Sequence, residues 1–137
     1  MRVLLDTNIV LDFVLARQPF FVEADGIFIE LQNGKFEAFV SPITPINVFY
    51  TTRKERDKTT AFSAIEELLK VVRITKSNNY IFHKALSLGF NDYEDAVQHE
   101  CALAENLDAI VTRNTKDYKN ASIEIYSPDE FLQILQK

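Results

Sequence analysis

The sequence predicts an α/β fold in which a central, mostly parallel sheet of about five strands is covered by helices on both faces. Five short apolar runs alternate with longer segments in which apolar residues recur at helical spacing. The short runs are mostly apolar, which is typical of strands that are buried on both faces. The 137 residues show no repeat and no linker. We therefore expect one domain over residues 1–137.

The first half of the chain begins with a strand candidate at residues 3–5, which ends at the small polar residues Asp6-Thr7-Asn8. These residues suit a strand end followed by a helix cap. A second strand candidate covers residues 36–40. Gly34 is placed as a helix C-terminal glycine, and Pro45 suits a first helical turn. The predicted helices of this half cover residues 9–14, 20–33, 46–56 and 59–70.

The second half begins with residues 71–74, which we expect to form a buried strand. A helix is predicted to follow Ser77 and to end near Gly89, and another covers residues 92–106. The last strand candidates are residues 109–111 and 123–126. Ser127-Pro128-Asp129-Glu130 has the pattern of a capping box with proline at the first helical position, so it predicts a C-terminal helix.

Composition excludes several classes of protein. The chain has 15 basic and 20 acidic residues, a net charge of −5, which taken alone argues against a broad nucleic-acid-binding surface. The single cysteine cannot form an internal disulfide, and no apolar run has the length of a membrane span, so we expect a cytoplasmic protein. With only three glycines, the chain has no glycine-rich loop that could bind a phosphate. It also has no cluster of histidines and cysteines, so we do not expect a zinc site.

A parallel α/β sheet forms its sites outside the carboxyl ends of the strands, and two polar clusters stand at such ends while a third starts a helix. They are residues 6–8, residues 112–114 with Asp117, and residues 91–95 at the start of a helix. Asp92 and Asp95 are three residues apart, which places both side chains on one helix face. If the clusters converge, four carboxylates (Asp6, Asp92, Asp95 and Asp117) and the amide of Asn114 share one pocket.

Several unpaired carboxylates in one pocket raise one another's pKa, and a divalent cation removes this cost. Ligands that are all oxygen suit Mg²⁺ or Mn²⁺. Taken singly, each residue also has a structural interpretation. Asp6 can cap the helix after its strand, Asp92 and Asp95 can favour the helix dipole, and the remaining two can be turn residues. Their joint placement favours the metal site.

Three segments carry a resemblance to the PIN domain family: Leu4-Leu5-Asp6-Thr7-Asn8-Ile9-Val10-Leu11-Asp12, Asp92-Tyr93-Glu94-Asp95-Ala96 and Val111-Thr112-Arg113-Asn114-Thr115-Lys116-Asp117-Tyr118. In that family an N-terminal strand ends in Asp-Thr-Asn, Asp-Ala opens a later helix, and Thr-Arg-Asp/Asn follows a strand. The resemblance implies a three-layer α/β/α fold. It also implies an Mg²⁺- or Mn²⁺-dependent ribonuclease, often the VapC-type toxin of a toxin–antitoxin pair, with RNA as substrate and an antitoxin as partner.

The resemblance also implies a role for each matching residue. Asp6 is expected to be the first metal ligand and Asp95 the acid of the Asp-Ala motif. Asn114 stands in the place of a further acid. The expected catalytic residues are Asp6, Asp95, Asn114 and Asp117, the expected metal ligands are Asp6, Asp92, Asp95 and Asp117, and the expected supporting residues are Thr7, Asn8, Asn47 and Thr112.

One departure from the family pattern concerns Asn47, in Thr44-Pro45-Ile46-Asn47, where the family usually has a glutamate. An amide can offer an oxygen to a metal, but it supplies neither a base nor a charge. We therefore expect Asp92 and Asp117 to compensate. The same departure keeps open an alternative, in which a degenerate PIN fold serves as a binding module. A haloacid dehalogenase-like phosphatase is disfavoured, since it needs an aspartate at position 8.

Basic and apolar residues suggest the partners. Arg17, Arg113 and Lys116 lie close in sequence to the acidic clusters, so we expect them to contact the RNA backbone. His99 is expected at the surface, near the rim of the site. The apolar helix at residues 20–33 and the helix that carries Asn47 suggest a homodimer or antitoxin surface.

Overall fold

A five-stranded, fully parallel sheet forms the centre of the structure, a computed structural model that describes residues 1–137. Each neighbouring pair of strands is parallel, and their order is β3-β2-β1-β4-β5. The predicted α/β class and strand number are therefore confirmed. The strands are Arg2–Leu5 (β1), Glu37–Val40 (β2), Val72–Ile74 (β3), Ala109–Val111 (β4) and Glu124–Tyr126 (β5).

Seven α-helices flank the sheet, and a short 3-10 helix, Thr115–Tyr118, follows β4. The predicted capping box is confirmed, because the Glu130 N–H donates to Ser127 Oγ and the Ser127 N–H donates to Glu130 Oε1. Gly34 follows the second helix with φ of +75°, a conformation that glycine adopts without strain. The helices are Thr7–Val14 (α1), Phe21–Gln32 (α2), Ile43–Glu55 (α3), Lys58–Val71 (α4), Asn79–Ala85 (α5), Tyr93–Ala104 (α6) and Pro128–Leu135 (α7).

Two cores, one on each face of the sheet, make the fold a three-layer α/β/α arrangement. Side chains of a strand point alternately to the two faces. Val3 and Leu5 accordingly join a core with residues of α1, α2, α4 and α7, whereas Leu4 joins the core formed with α5 and α6. No helix combines the length and the apolar character needed to cross a lipid bilayer.

Three local expectations are wrong. Residues 73 and 74 are exposed rather than buried, because β3 is an edge strand. The helix expected to reach Gly89 ends at Ala85. His99 is buried rather than at the surface, since its Nδ1 lies 2.9 Å from Glu100 Oε2 and its Nε2 accepts the Ser122 N–H at 3.1 Å. The segment after the 3-10 helix thus covers this part of α6.

The strand order reverses direction at β1, and this positions the functional residues. From β1 the chain first builds β2 and β3 on one side of the sheet and later β4 and β5 on the other. Leu5 pairs with Val111, so Asp6 and Thr112 leave neighbouring strands at the same edge. Ligand sites of open α/β sheets lie at such a switch point, outside the carboxyl ends of the strands.

Candidate active site

Asp6 lies at the base of the candidate site, directly after β1, and its side chain is almost fully buried. Its carboxylate accepts hydrogen bonds from Thr112 Oγ1 at 2.7 Å and from Gln98 Nε2 at 3.0 Å. Burial raises the pKa of Asp6, and the bonds from Gln98 and Thr112 oppose that rise. Asp6 is therefore a carboxylate held in one orientation by β4 and α6.

The hydroxyl of Tyr118 connects Asp6 to Asp95. It lies 3.2 Å from Asp95 Oδ1 and 3.5 Å from Asp6 Oδ2, and it accepts a bond from Gln98 Nε2 at 2.9 Å. Burial, followed by the charges of the two aspartates, raises the pKa of Tyr118 far above its usual range. The hydroxyl therefore stays protonated. Because it has a single hydrogen, it can donate to only one of the two carboxylates at a time.

The same arrangement shifts the pKa of Asp95. Its pKa is raised to about 7, first by burial and then by the negative charges of Asp6 and Asp92, with a smaller effect from Asp117. The hydrogen bond from Tyr118 acts in the opposite direction. Negative charge is thus concentrated around Asp95 at neutral pH, which favours the approach of a cation.

The remaining predicted acids lie nearer the surface. Asp92 is the N-cap of α6, because its Oδ1 accepts the Asp95 N–H at 3.0 Å. Asp117 and Asn114 are exposed around the 3-10 helix, and the Asn114 N–H donates to Thr112 Oγ1 at 3.1 Å. The charges of Asp6, Asp92 and Asp117 all act on Asp95, but no three His, Cys, Asp or Glu side chains form a group able to hold a metal ion.

Asp6 and Asp95 are therefore the pair of acids that the fold brings together. Mg²⁺ and Mn²⁺ take one or two protein carboxylates and keep several water ligands. Asp6 and Asp95 supply two such carboxylates, since both lie within 3.5 Å of the Tyr118 hydroxyl oxygen. The donor set thus suits a partly hydrated divalent cation better than one enclosed by protein groups.

Gln98 is a site residue that the sequence reasoning missed. Its side chain is fully buried, and besides its bonds to Asp6 and Tyr118 its Oε1 lies 3.3 Å from Thr7 Oγ1. A signal was present in the sequence. Gln98 follows Asp95 by three residues, which places both side chains on one helix face, and it interrupts the apolar side of α6.

Glu94 is a second residue that the sequence reasoning missed. Its Oε2 accepts a hydrogen bond from Thr7 Oγ1 at 2.8 Å, and its Oε1 accepts one from Asn47 Nδ2 at 3.2 Å. Thr7 Oγ1 also lies 2.8 Å from Thr44 Oγ1. Thr7 and Asn47, which the sequence predicts as supporting residues, therefore meet at Glu94, which joins α1 and α3 to α6.

Comparison with known families identifies the fold. The sequence model described as the PIN domain matches residues 2–116, which is most of the chain. The chain belongs to the PIN domain family. Among the curated proteins, no sequence match is found.

Solved structures share this PIN fold at low sequence identity. VapBC2 from Rickettsia felis, bound to a promoter DNA fragment, is 18% identical with a TM-score of 0.70, over 93% of this chain and 98% of that one. A toxin–antitoxin complex from Klebsiella pneumoniae is 23% identical with a TM-score of 0.68, over 92% and 97%. VapC20 from Mycobacterium tuberculosis, described as a sarcin–ricin loop cleaving toxin, is 13% identical with a TM-score of 0.63, over 79% and 86%.

The three basic residues that are expected to contact RNA differ in how freely their charges can act. Arg113 donates to the buried carboxylate of Asp12 and lies over the ring of Phe20, 3.9 Å from its centroid. Arg17 pairs with Glu55 at 3.0 Å. Lys116 is exposed and makes no ion pair. It borders a polar cleft of about 340 Å³ formed by residues 113–117.

Proposed function

We propose that residues 1–137 form a single PIN domain that acts as a metal-dependent endoribonuclease, hydrolysing RNA phosphodiester bonds. The observation that carries the proposal is the link between Asp6 and Asp95 through the Tyr118 hydroxyl. It joins two carboxylates at the switch point of the sheet, where burial raises the pKa of both. Such a pair is stabilised by a cation, and the PIN family membership favours nuclease chemistry.

The cation that fits this donor set is Mg²⁺ or Mn²⁺, with Asp6 and Asp95 as its protein ligands. Asp92, Asp117 and the Asn114 amide stand around this pair as the outer acids and amide of the site. A bound divalent cation orients and acidifies a water and neutralises a phosphoryl oxygen.

Other residues of the chain hold the Asp6 and Asp95 carboxylates in position and contact the RNA phosphates. Thr112 and Gln98 fix the Asp6 carboxylate, and Tyr118 remains a neutral donor between the two acids. Lys116 offers an exposed, unpaired charge at the polar cleft, and the Arg113 side chain is one quarter exposed beside it. We assign phosphate contact mainly to Lys116, with Arg113 and Arg17 contributing where their own ion pairs allow.

We further infer that the protein is the toxin of a type II toxin–antitoxin pair. Several structures with this fold are toxin–antitoxin complexes, and one is described as a sarcin–ricin loop cleaving toxin. The partner is then an antitoxin protein. A homodimer is consistent with the exposed apolar side chains of Ile46, Tyr50 and Phe62 on α3 and α4.

Cleavage of a panel of structured RNAs in Mn²⁺ tests the enzymatic proposal. We expect the wild type to cut at least one RNA and Asp6→Asn to lose about 100-fold or more in rate, because the substitution removes a carboxylate that holds the cation. Asp25→Asn, on α2 and outside the site, is the matched control and should cleave like the wild type. Equal cleavage by the wild type and Asp6→Asn would contradict the proposal.

A second candidate function is a PIN fold that binds nucleic acid or protein without cutting RNA. Asn47 in the place of an acid and the lack of a ready three-acid group favour it. Calorimetric titration separates the two candidates. Saturable Mg²⁺ or Mn²⁺ binding supports the nuclease, and the absence of saturable binding supports the binding module.

A further inference from the structure

Glu94 is a half-buried carboxylate without a cationic partner. It forms no ion pair with any lysine, arginine or histidine. Its two oxygens are instead held by neutral donors, Thr7 Oγ1 and Asn47 Nδ2. These bonds fix the position of the carboxylate and leave its negative charge uncompensated.

The same contacts connect Glu94 to the network around Asp6. Thr7 Oγ1, which donates to Glu94, lies 3.3 Å from the Oε1 of Gln98. The amide nitrogen of Gln98 in turn donates to Asp6 Oδ1 at 3.0 Å. Glu94 also precedes Asp95 on α6. Glu94 is therefore linked to the Asp6 carboxylate through Thr7 and Gln98, and it is the direct neighbour of Asp95 on α6.

Asn47 serves Glu94 as a donor. Its Nδ2 faces the carboxylate at 3.2 Å and 3.4 Å from the two oxygens, whereas its Oδ1 is 3.5 Å from Thr51 Oγ1. With this orientation its amide oxygen points away from Glu94. Position 47 holds an uncharged amide, for which Asp92 and Asp117 are expected to compensate. The carboxylate that contacts Asn47 is Glu94.

We propose that Glu94 supplies a further negative charge to the site, as a positioning residue that acts on the hydrated cation through its water ligands. The inference rests on the proposed function, because it concerns the same cation. Direct ligation is not required, since Mg²⁺ and Mn²⁺ retain several waters and no three acids form a ready ligand group. Groups that hold the outer shell of a metal site tune its affinity. Asn47 and Thr7 keep Glu94 in place for this role.

Mn²⁺ affinity measured by calorimetry without RNA tests the proposal. We expect Glu94→Gln to weaken Mn²⁺ binding about tenfold or more, in the range typical of outer-shell substitutions. The exchange variant Asn47→Glu/Glu94→Gln puts the carboxylate on α3 and the amide on α6, so it should recover most of that loss. Glu66→Gln removes the same charge from an exposed position on α4 and should bind like the wild type.

Two further variants keep the outcomes distinct. Glu94→Asp retains the charge, so its affinity should stay above that of Glu94→Gln even if the shorter side chain alters local packing. Asp6→Asn should abolish Mn²⁺ binding, and if it binds like the wild type the proposed metal site itself is wrong. If Asp6→Asn loses binding while Glu94→Gln keeps wild-type affinity, the role of Glu94 alone is overturned. An exchange variant as weak as Glu94→Gln overturns it as well.

Discussion

Arg113 donates two hydrogen bonds to the buried carboxylate of Asp12, from Nε to Oδ2 at 2.7 Å and from Nη2 to Oδ1 at 3.2 Å. The Asp12 side chain is 1% exposed and the Arg113 side chain 25%. The pair joins α1 to the loop that carries Asn114. It therefore fixes the two segments that leave β1 and β4 relative to each other.

Removal of Arg113 should destabilise the fold strongly. In Arg113→Met the Asp12 charge stays buried without a partner, and such losses cost about 3–5 kcal/mol in the free energy of unfolding. Urea denaturation measures the change. Arg17→Met breaks the exposed pair with Glu55 and should cost under about 1 kcal/mol. Equal effects of the two substitutions would show that the Asp12–Arg113 pair does not anchor the loop.

Asp95 should make the metal-free protein less stable as pH rises. Its pKa is about 7 in the folded protein against an ordinary value of 3.8, so the folded state binds the proton more tightly than the unfolded chain. The stability associated with neutral Asp95 is complete below about pH 4 and is lost as pH rises through about 7.

Asp95→Asn should therefore be more stable than the wild type at pH 8 in the presence of a chelator. We expect a gain of about 1 kcal/mol, because the group is half-exposed and solvent screens part of the effect. This difference in stability between the variant and the wild type should vanish towards pH 4. Added Mn²⁺ should reduce the difference at pH 8, because it stabilises only the wild type. Thermal unfolding across pH measures this. A gain that does not change with pH would refute the raised pKa.

Tyr118 should contribute to stability through its hydroxyl. Tyr118→Phe leaves the buried Gln98 amide and both aspartates with one partner fewer, and unsatisfied buried groups cost about 1–3 kcal/mol. Chemical denaturation measures the loss. Tyr80→Phe removes a hydroxyl from a residue that is 67% exposed, and it should change stability little. A Tyr118→Phe variant as stable as the wild type would argue against a hydroxyl shared between the acids.

The elements and the central acids could be predicted because local signals decide them. Short apolar runs gave the five parallel strands, and Ser127 with Glu130 gave the capping box. Asp6 ends a strand and Asp95 starts a helix, and both are expected at one site because an open α/β sheet forms its sites outside the carboxyl ends of its strands. The structure brings these two together through Tyr118.

Other features depend on how elements pack, which a single sequence does not reveal. Asp92 caps α6, because its carboxylate accepts a backbone N–H of its own first turn, and its charge also raises the pKa of Asp95. Glu94 reaches Asn47 because α3 lies against the start of α6, and no sequence spacing encodes that approach. His99 is buried by a segment more than twenty residues further along the chain. Arg113, which follows β4, binds Asp12 on α1, which follows the neighbouring strand β1.

The central claim is that Asp6 and Asp95 hold a divalent cation. An anomalous difference map from a crystal soaked in Mn²⁺ tests it most directly. We expect one strong peak about 2.1 Å from a carboxylate oxygen of Asp6 and of Asp95, with water in the remaining positions. The same soak of Asp6→Asn should show no peak there. A saturating Mn²⁺ soak that leaves the space between Asp6 and Asp95 without a peak would contradict the account.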